Sequence, residues 1–346
     1  MDILNVTRPV ALSGLDDMPL PSVDAARPQE MLLRCPAAAV TPLVISEAIA
    51  TQAAVAEVWI KDERGRMGLG SFKALGAAYV VANDAAEGRL AGRTYVTASA
   101  GNHGMSVAAG AAAFSARSVV YIAETVPEGF ATRLAEQGAE VVREGATYEA
   151  SMAAAAAAAE ANGWALLSDS SWPGYTERPQ RLMEGYLVLM AEAIADMAEA
   201  PSHIFLQAGV GGLAASCAAL ARVAWGAEPC IVVVEPQAAP ALHASIVAGQ
   251  GVDTQGPVSV MGRLDCKTPS LIALKGLARD ADAYALISEE EAEAGAGTAM
   301  VAGLPSTPSG AAGIAALLAL SDDQRAALAL DAQSRVLCIL SEGPDR

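Results

Sequence analysis

The sequence predicts an α/β fold with two open parallel sheets, and three features carry that expectation. Strand and helix patterns alternate from residue 93 onward, a second alternating series begins at 176, and turns rich in Gly, Ser and Asn recur where a strand gives way to a helix. At 346 residues the chain suits one large or two medium domains. Its 53% apolar and 18% charged residues allow a substantial buried core.

Residues 1 to about 45 contain Pro9, Pro19, Pro21, Pro28, Pro36 and Pro42 and no sustained period, which predicts an extended arm over a larger body. A strand is expected at 57–61, then a glycine-rich lead-in and a helix to about Val81. Strands at 94–98, 118–123, 139–142 and 164–167 alternate with helices at 102–114, from Pro127 to Gly138, and at 148–162, where an alanine run favours helix. The second series places helices at 176–198 and 213–223 and strands at 203–207 and 231–235. After an aperiodic loop at 252–268 come a strand at 285–287, helices at 289–301 and 310–320, and a last strand at 335–340. The loop's polar part, Met261 to Ser270, is a candidate lid or substrate-side wall, or simply a solvated loop.

A net charge of −17 argues against nucleic acid or an anionic membrane as partner. Cysteines 35, 217, 230, 266 and 338 are odd in number and scattered, so reduced core thiols are expected. No stretch reads as a signal peptide or reaches the ~18–20 apolar residues of a membrane span, so a cytoplasmic protein is expected. His203 and His243 lack partners at metal spacing, and no metal site is expected.

Four motifs fall at strand-to-helix junctions, the edge where open α/β sheets bind ligands. The first, from Arg64 to Gly76, carries Lys73 into the first turn of a helix. The partial positive charge there disfavours an ammonium and tolerates an amine or an imine, the setting of a covalent-catalysis lysine. A surface lysine is the ordinary alternative. The second, Ser99-Ala100-Gly101-Asn102-His103, offers backbone N–H groups for a carboxylate or phosphate; Asn102 alone would pass as a helix cap. The third, Gly209-Val210-Gly211-Gly212, allows close backbone approach to a phosphate, and it is neither GxGxxG nor a Walker loop. The fourth places Ser341 just after the last strand.

Together and in this order, the motifs resemble the fold-type II pyridoxal-phosphate enzymes, whose architecture is tryptophan synthase β-like with the cofactor in the cleft between two domains. Within that family the lead-in to Lys73, the run Asp169-Ser170-Ser171-Trp172-Pro173-Gly174-Tyr175 and the stretch 203–211 look most like the diaminopropionate ammonia-lyases. The resemblance covers about Thr41 to Gly343. It implies a large cofactor-binding domain of 1–88 and 176–346, a small mobile domain of 89–175, and a homodimer.

By the same resemblance, Lys73 would hold pyridoxal 5'-phosphate and, once displaced, act as the α-proton base. Asn102 would bond the cofactor's phenolic oxygen, Gly209, Val210, Gly211 and Gly212 its phosphate, and Ser341 its pyridine nitrogen. Ser99, Ala100, Gly101, Asn102 and His103 would receive the substrate carboxylate, His103 by shaping the loop if not simply by local packing. Thr307 to Gly310 would also approach the cofactor. Asp169 would pair with, or exchange protons with, a β-ammonium group; outside its motif it would read as an exposed turn cap. One departure stands out: the ammonia-lyases usually carry Thr-Asp-Gly-Asn where this chain has Ser99-Ala100-Gly101-Asn102. The acid opposite Lys73 is absent, and preference for an L-amino acid follows.

The expected activity is β-elimination from a small β-substituted amino acid, best matched by 2,3-diaminopropionate giving pyruvate and ammonia. The alternatives are a dehydratase of serine, threonine or 3-hydroxyaspartate, favoured by Ser99-Ala100, and a non-catalytic amino-acid or cofactor sensor.

Overall fold

The computed structural model describes residues 1–345. Its strands in chain order are Asp2–Asn5 (β1), Leu43–Ile45 (β2), Glu57–Asp62 (β3), Thr94–Ala98 (β4), Arg117–Ile122 (β5), Glu140–Arg143 (β6), Ala165–Leu166 (β7), His203–Gln207 (β8), Cys230–Pro236 (β9), Ala283–Ile287 (β10) and Arg335–Leu340 (β11). The larger sheet has the order β1-β10-β9-β8-β11-β3-β2 and the smaller β6-β5-β4-β7. All pairs in the smaller sheet are parallel, as are the five inner strands of the larger one.

Successive side chains of an inner strand point to opposite faces, and helices cover both. Ile204, Leu206, Ile231, Val233, Leu337 and Ile339 join one core. Phe205, Val232, Val234, Val336, Cys338 and Leu340 join the other. Each such Val, Leu or Ile contributes roughly 1.5–3 kcal/mol by leaving water. The near-continuous apolar runs follow from this two-sided burial.

The N-terminal arm departs from its expected extended form. β1 pairs antiparallel with β10, β2 pairs antiparallel with β3, and a helix forms at Ala26–Leu32. β1 and β2 are edge strands too short to carry a visible alternation. Helices at Glu47–Ala53, Ala241–Ala248, Leu271–Asp280 and Asp322–Ala327 were also not expected. In Leu271–Asp280, Gly276 weakens the helix signal; it stands where a Cβ would run into the Pro21 ring of the arm. The strand expected at 164–167 shortens to the two residues of β7.

Two glycines set the position of the helix Lys73–Ala86. A Cβ at Gly76 would lie 2.6 Å from the Tyr186 ring, and one at Gly185 would lie 2.6 Å from the Leu75 carbonyl. The lysine helix and the helix Glu177–Asp196 therefore meet at backbone distance. The opposite face of the lysine helix shares a core with the smaller sheet through Ala77, Val80, Val81, Tyr95 and Val107.

Candidate active site

The lysine strap begins where β3 ends. Asp62 accepts the Arg64 N–H at 3.1 Å and starts a 3₁₀ segment, Glu63–Gly68. Within it the Arg66 guanidinium is buried and bonds Glu63 and Glu192, each at 2.7 Å, while Lys61 reaches Glu192 at 2.7 Å. Burial works against the Glu192 charge, but Arg66 and Lys61 outweigh it and hold the carboxyl below its usual range. This network ties the strap to the long helix. The strap then pairs with the segment after β11: Phe72 N–H donates to the Ser341 carbonyl at 3.1 Å and Gly343 N–H to the Gly70 carbonyl at 3.0 Å. Lys73 and Ser341 are thereby brought to one place at the sheet edge.

Lys73 begins its helix as expected, and a carboxylate stands beside it that the helix-start argument did not include. Its Nζ forms an ion pair with Asp169 in the loop after β7. Burial pulls the lysine down, the Asp169 carboxylate outweighs it, and Lys73 is held well above its usual range. Asp169 is correspondingly held well below the carboxylate range, against the cost of its own burial. With its side chain only 18% accessible, Asp169 is not an exposed turn cap. Its loop is fixed by Tyr175, whose hydroxyl accepts from Ser168 N–H at 3.0 Å and donates to the Leu166 carbonyl at 2.8 Å. Trp172 stacks on Tyr175 at 4.3 Å between ring centroids.

The lysine lies 5.2 Å from the Phe72 ring centroid and 5.8 Å from that of Tyr186. Burial pushes the Tyr186 hydroxyl up to about 12 and the nearby Cys266 thiol up to about 12. Both are protonated at neutral pH, so Cys266 is not a ready nucleophile.

β4 runs into Ser99 to Gly101 and the helix Asn102–Ala113, where Gly101 N–H donates to the Ser99 hydroxyl at 3.2 Å and no side chain caps the helix. Asn102 donates through Nδ2 to Glu342. His103 turns inward, its Nε2 2.8 Å from the Leu167 carbonyl, and burial keeps the ring neutral. Its Nδ1 is buried without a partner.

β8 delivers the glycine loop. Gly211 takes φ +99, and the helix Gly212–Trp225 begins beyond it with no capping side chain. Gly212, Leu213 and Ala214 are buried. A helix start buried without a cap leaves N–H groups unpaired, which an anion would satisfy. Gly209 packs so closely that a Cβ would lie 3.0 Å from Cys266 Sγ and 3.1 Å from the Arg263 carbonyl. The inner part of the 252–268 loop thus forms one wall. Ser171 hydrogen-bonds Ser270 at 2.7 Å and joins the Asp169 loop to the same wall.

Glu342, next to Ser341, is a site residue that the sequence motifs did not single out. It is 4% exposed, and its carboxylate receives Asn102 Nδ2 and the Thr307 hydroxyl, with Arg263 Nε at 3.3 Å. The signal was available: an acid directly after the serine at the cofactor edge of the last strand. Ser309 accepts the Arg263 N–H at 3.1 Å, so the 307–310 turn approaches the site through these two residues.

A lysine at a helix start, an uncapped glycine-rich helix terminus and a serine beside the last strand thus meet at the sheet edge. Residues 35–342 match the family model described as pyridoxal-phosphate dependent enzyme. The chain belongs to this family. It is 31% identical to a diaminopropionate ammonia-lyase of Salmonella typhimurium, over 90% of this chain and 86% of that protein. It is 30% identical to an L-threonine ammonia-lyase of Geobacter sulfurreducens, over 79% of this chain and 64% of the relative. Among solved structures it is similar to the diaminopropionate ammonia lyase of Escherichia coli in complex with an aminoacrylate-PLP azomethine reaction intermediate. That likeness has a TM-score of 0.87 at 26% identity and covers 99% of this chain and 93% of that one.

The residues of this pyridoxal-phosphate enzyme fit its cofactor. Lys73 supplies a side-chain amine at the sheet edge, the uncapped terminus at Gly211 and Gly212 suits a phosphate, and Gly209 leaves the backbone bare.

Proposed function

We propose that the chain is a β-eliminating ammonia-lyase acting on 2,3-diaminopropionate, with pyruvate and ammonia as products. The observation that carries this reading is the Lys73–Asp169 ion pair. A part-buried carboxylate needs a cation, and when Lys73 is engaged elsewhere a β-ammonium group can take its place. Serine and threonine have no such charge. The near relation to proteins named diaminopropionate ammonia-lyase supports the same reading.

In this proposal Lys73 holds the cofactor, the 209–212 loop its phosphate and Ser341 its ring nitrogen. When bound, the cofactor takes up the electron pair left on the substrate Cα. Freed from the cofactor, the Lys73 amine accepts the Cα proton. N–H groups of the 99–102 loop orient the substrate carboxylate so that the Cα–H bond faces this amine. Asp169 holds the β-amino group in its protonated form, so that when the Cβ–N bond breaks with its electron pair going to nitrogen the group departs as neutral ammonia. Asn102, fixed by Glu342, has one amide hydrogen left for the cofactor's phenolic oxygen. Ala100 offers no second base, so Lys73 works on one face and the L-isomer is preferred.

Asp169→Asn is the test. It should lower kcat/KM for diaminopropionate by roughly 10²–10⁴ while changing the slower serine reaction only a few-fold. Equal losses on both substrates would remove Asp169 from ammonium recognition and favour the dehydratase reading, which Ser99-Ala100 also suits.

Further parts of the proposal are a mobile 89–175 domain, a homodimer and a cytoplasmic location. Among the described residues no helix is long and apolar enough to cross a membrane.

A further inference from the structure

A cleft of about 430 Å³ opens between the Asn102 loop, the helix Glu128–Glu136 and the strap. That volume lies in the range of roughly 300–1,000 Å³ typical of drug-sized ligands and exceeds the needs of a three-carbon amino acid. Its inner wall is Ala100, Gly101 and Asn102, the loop expected to grip the substrate carboxylate.

Three arginines line the cleft, and they differ in their partners. Arg64 is paired with Asp62 at 2.7 Å, and Arg263 with Asp345 and Glu342. The Arg133 side chain, on the helix Glu128–Glu136, makes no ion pair or hydrogen bond among the described residues, although it lies near enough to Asp345 to help lower that carboxyl. Its guanidinium instead packs against the Phe130 ring, 4.5 Å from the centroid. Phe130 presents it to the cleft in a set position, which lowers the entropy cost of binding an anion. Ala100 adds no negative charge to the inner wall. Glu136 and Asp345 also line the cleft, but Asp345 is already held by Arg263.

We propose that this cleft is a subsite for an acidic group at the far end of the β-substituent, with Arg133 as its specificity-determining residue. The site would then take, besides diaminopropionate, β-substituted L-amino acids whose leaving group bears a carboxylate or phosphate. The proposal rests on the lyase reading only for turnover. In that reaction the Cα proton passes to the Lys73 amine, and the bond from the β-carbon to the heteroatom breaks with its electron pair going to the leaving group. The remaining 2-aminoacrylate takes up water to give pyruvate and ammonia, and no oxidant or reductant is required.

A matched pair of esters tests it: O-succinyl-L-serine and O-acetyl-L-serine share the leaving-group chemistry and differ in the terminal carboxylate. Binding to the cofactor-loaded protein is read by titrating its visible absorption, and turnover separately by keto-acid release. The wild type should bind the succinyl ester about tenfold more tightly than the acetyl ester. Arg133→Gln should remove that preference and leave the acetyl ester within about twofold. Equal binding of the two esters by the wild type, failure of both to bind, or a preference unchanged in Arg133→Gln overturns the subsite. Normal discrimination without keto-acid release from either ester or from diaminopropionate would instead sink the lyase reading and leave the subsite standing.

Discussion

Asp169 and Glu235 show two opposite fates of a buried carboxylate. Asp169 is compensated by Lys73 and stays ionised. Glu235 accepts the Leu242 and His243 N–H groups at 2.8 and 2.7 Å at the start of the helix Ala241–Ala248, with no cation beside it, and burial raises it to about 8. Because the folded form holds its proton more tightly than the unfolded chain, whose glutamates titrate near ~4.3, Glu235 stabilises the fold below that pH. This contribution is lost as pH rises toward about 8. Unfolding midpoints measured from pH 5 to 9 should fall across that window, and Glu235→Gln should flatten the fall. A variant with the same pH profile as the wild type would show that the two N–H groups already offset burial. The Asp169–Lys73 pair acts elsewhere: the depressed acid gives stability lost only below the usual carboxylate range, and the raised lysine gives stability lost only above ~10.4.

At the scale of elements, the lysine helix is held on one side by a glycine crossing and on the other by the smaller sheet. Gly185→Ala would place a methyl group against the Leu75 carbonyl, and a backbone cannot turn aside as a side-chain tip can. The expected cost is about 1–3 kcal/mol of stability, measured by denaturant unfolding, together with weaker cofactor retention; an unchanged midpoint would show that the crossing can open. The long elements were legible because their periodicity reflects burial: β8, β9 and β11 are covered on both faces. The motif turns were legible because glycine, asparagine and serine have few other reasons to cluster at strand ends. β1 and β2 were not, since edge pairing of three or four residues is decided by the partner strand. The Lys73–Asp169 pairing was not legible for a related reason: the local helix terminus was visible, but the carboxylate lies 96 positions away.

At the scale of the molecule, the polar links that cross from the segment 89–175 to the rest include Asp169 to Lys73 and Asn102 to Glu342 at the site, Ser171 to Ser270 beside it, and Arg93 and Tyr95 to Asp84 at the segment's start. The proposed mobile domain therefore has two of its crossing contacts at the residues that do the chemistry. Hydrogen exchange at residues 99–104 should slow when substrate is added to the cofactor-loaded protein, and equal exchange with and without substrate would argue against closure. Sedimentation equilibrium addresses the proposed homodimer; a monomer at all concentrations would exclude it. Exposed Leu33 and Val40 near the end of the N-terminal arm are the candidate contact.

The central claim is that Lys73, alone on its face of the substrate, drives loss of a β-amino group held by Asp169. It is tested most directly by following keto acid and ammonia from L- and D-2,3-diaminopropionate, with Lys73→Ala as the blank. The account expects two ammonia per pyruvate from the L-isomer, little from the D-isomer and none from the variant. Equal turnover of the two isomers, or no keto acid from cofactor-loaded enzyme, would contradict it.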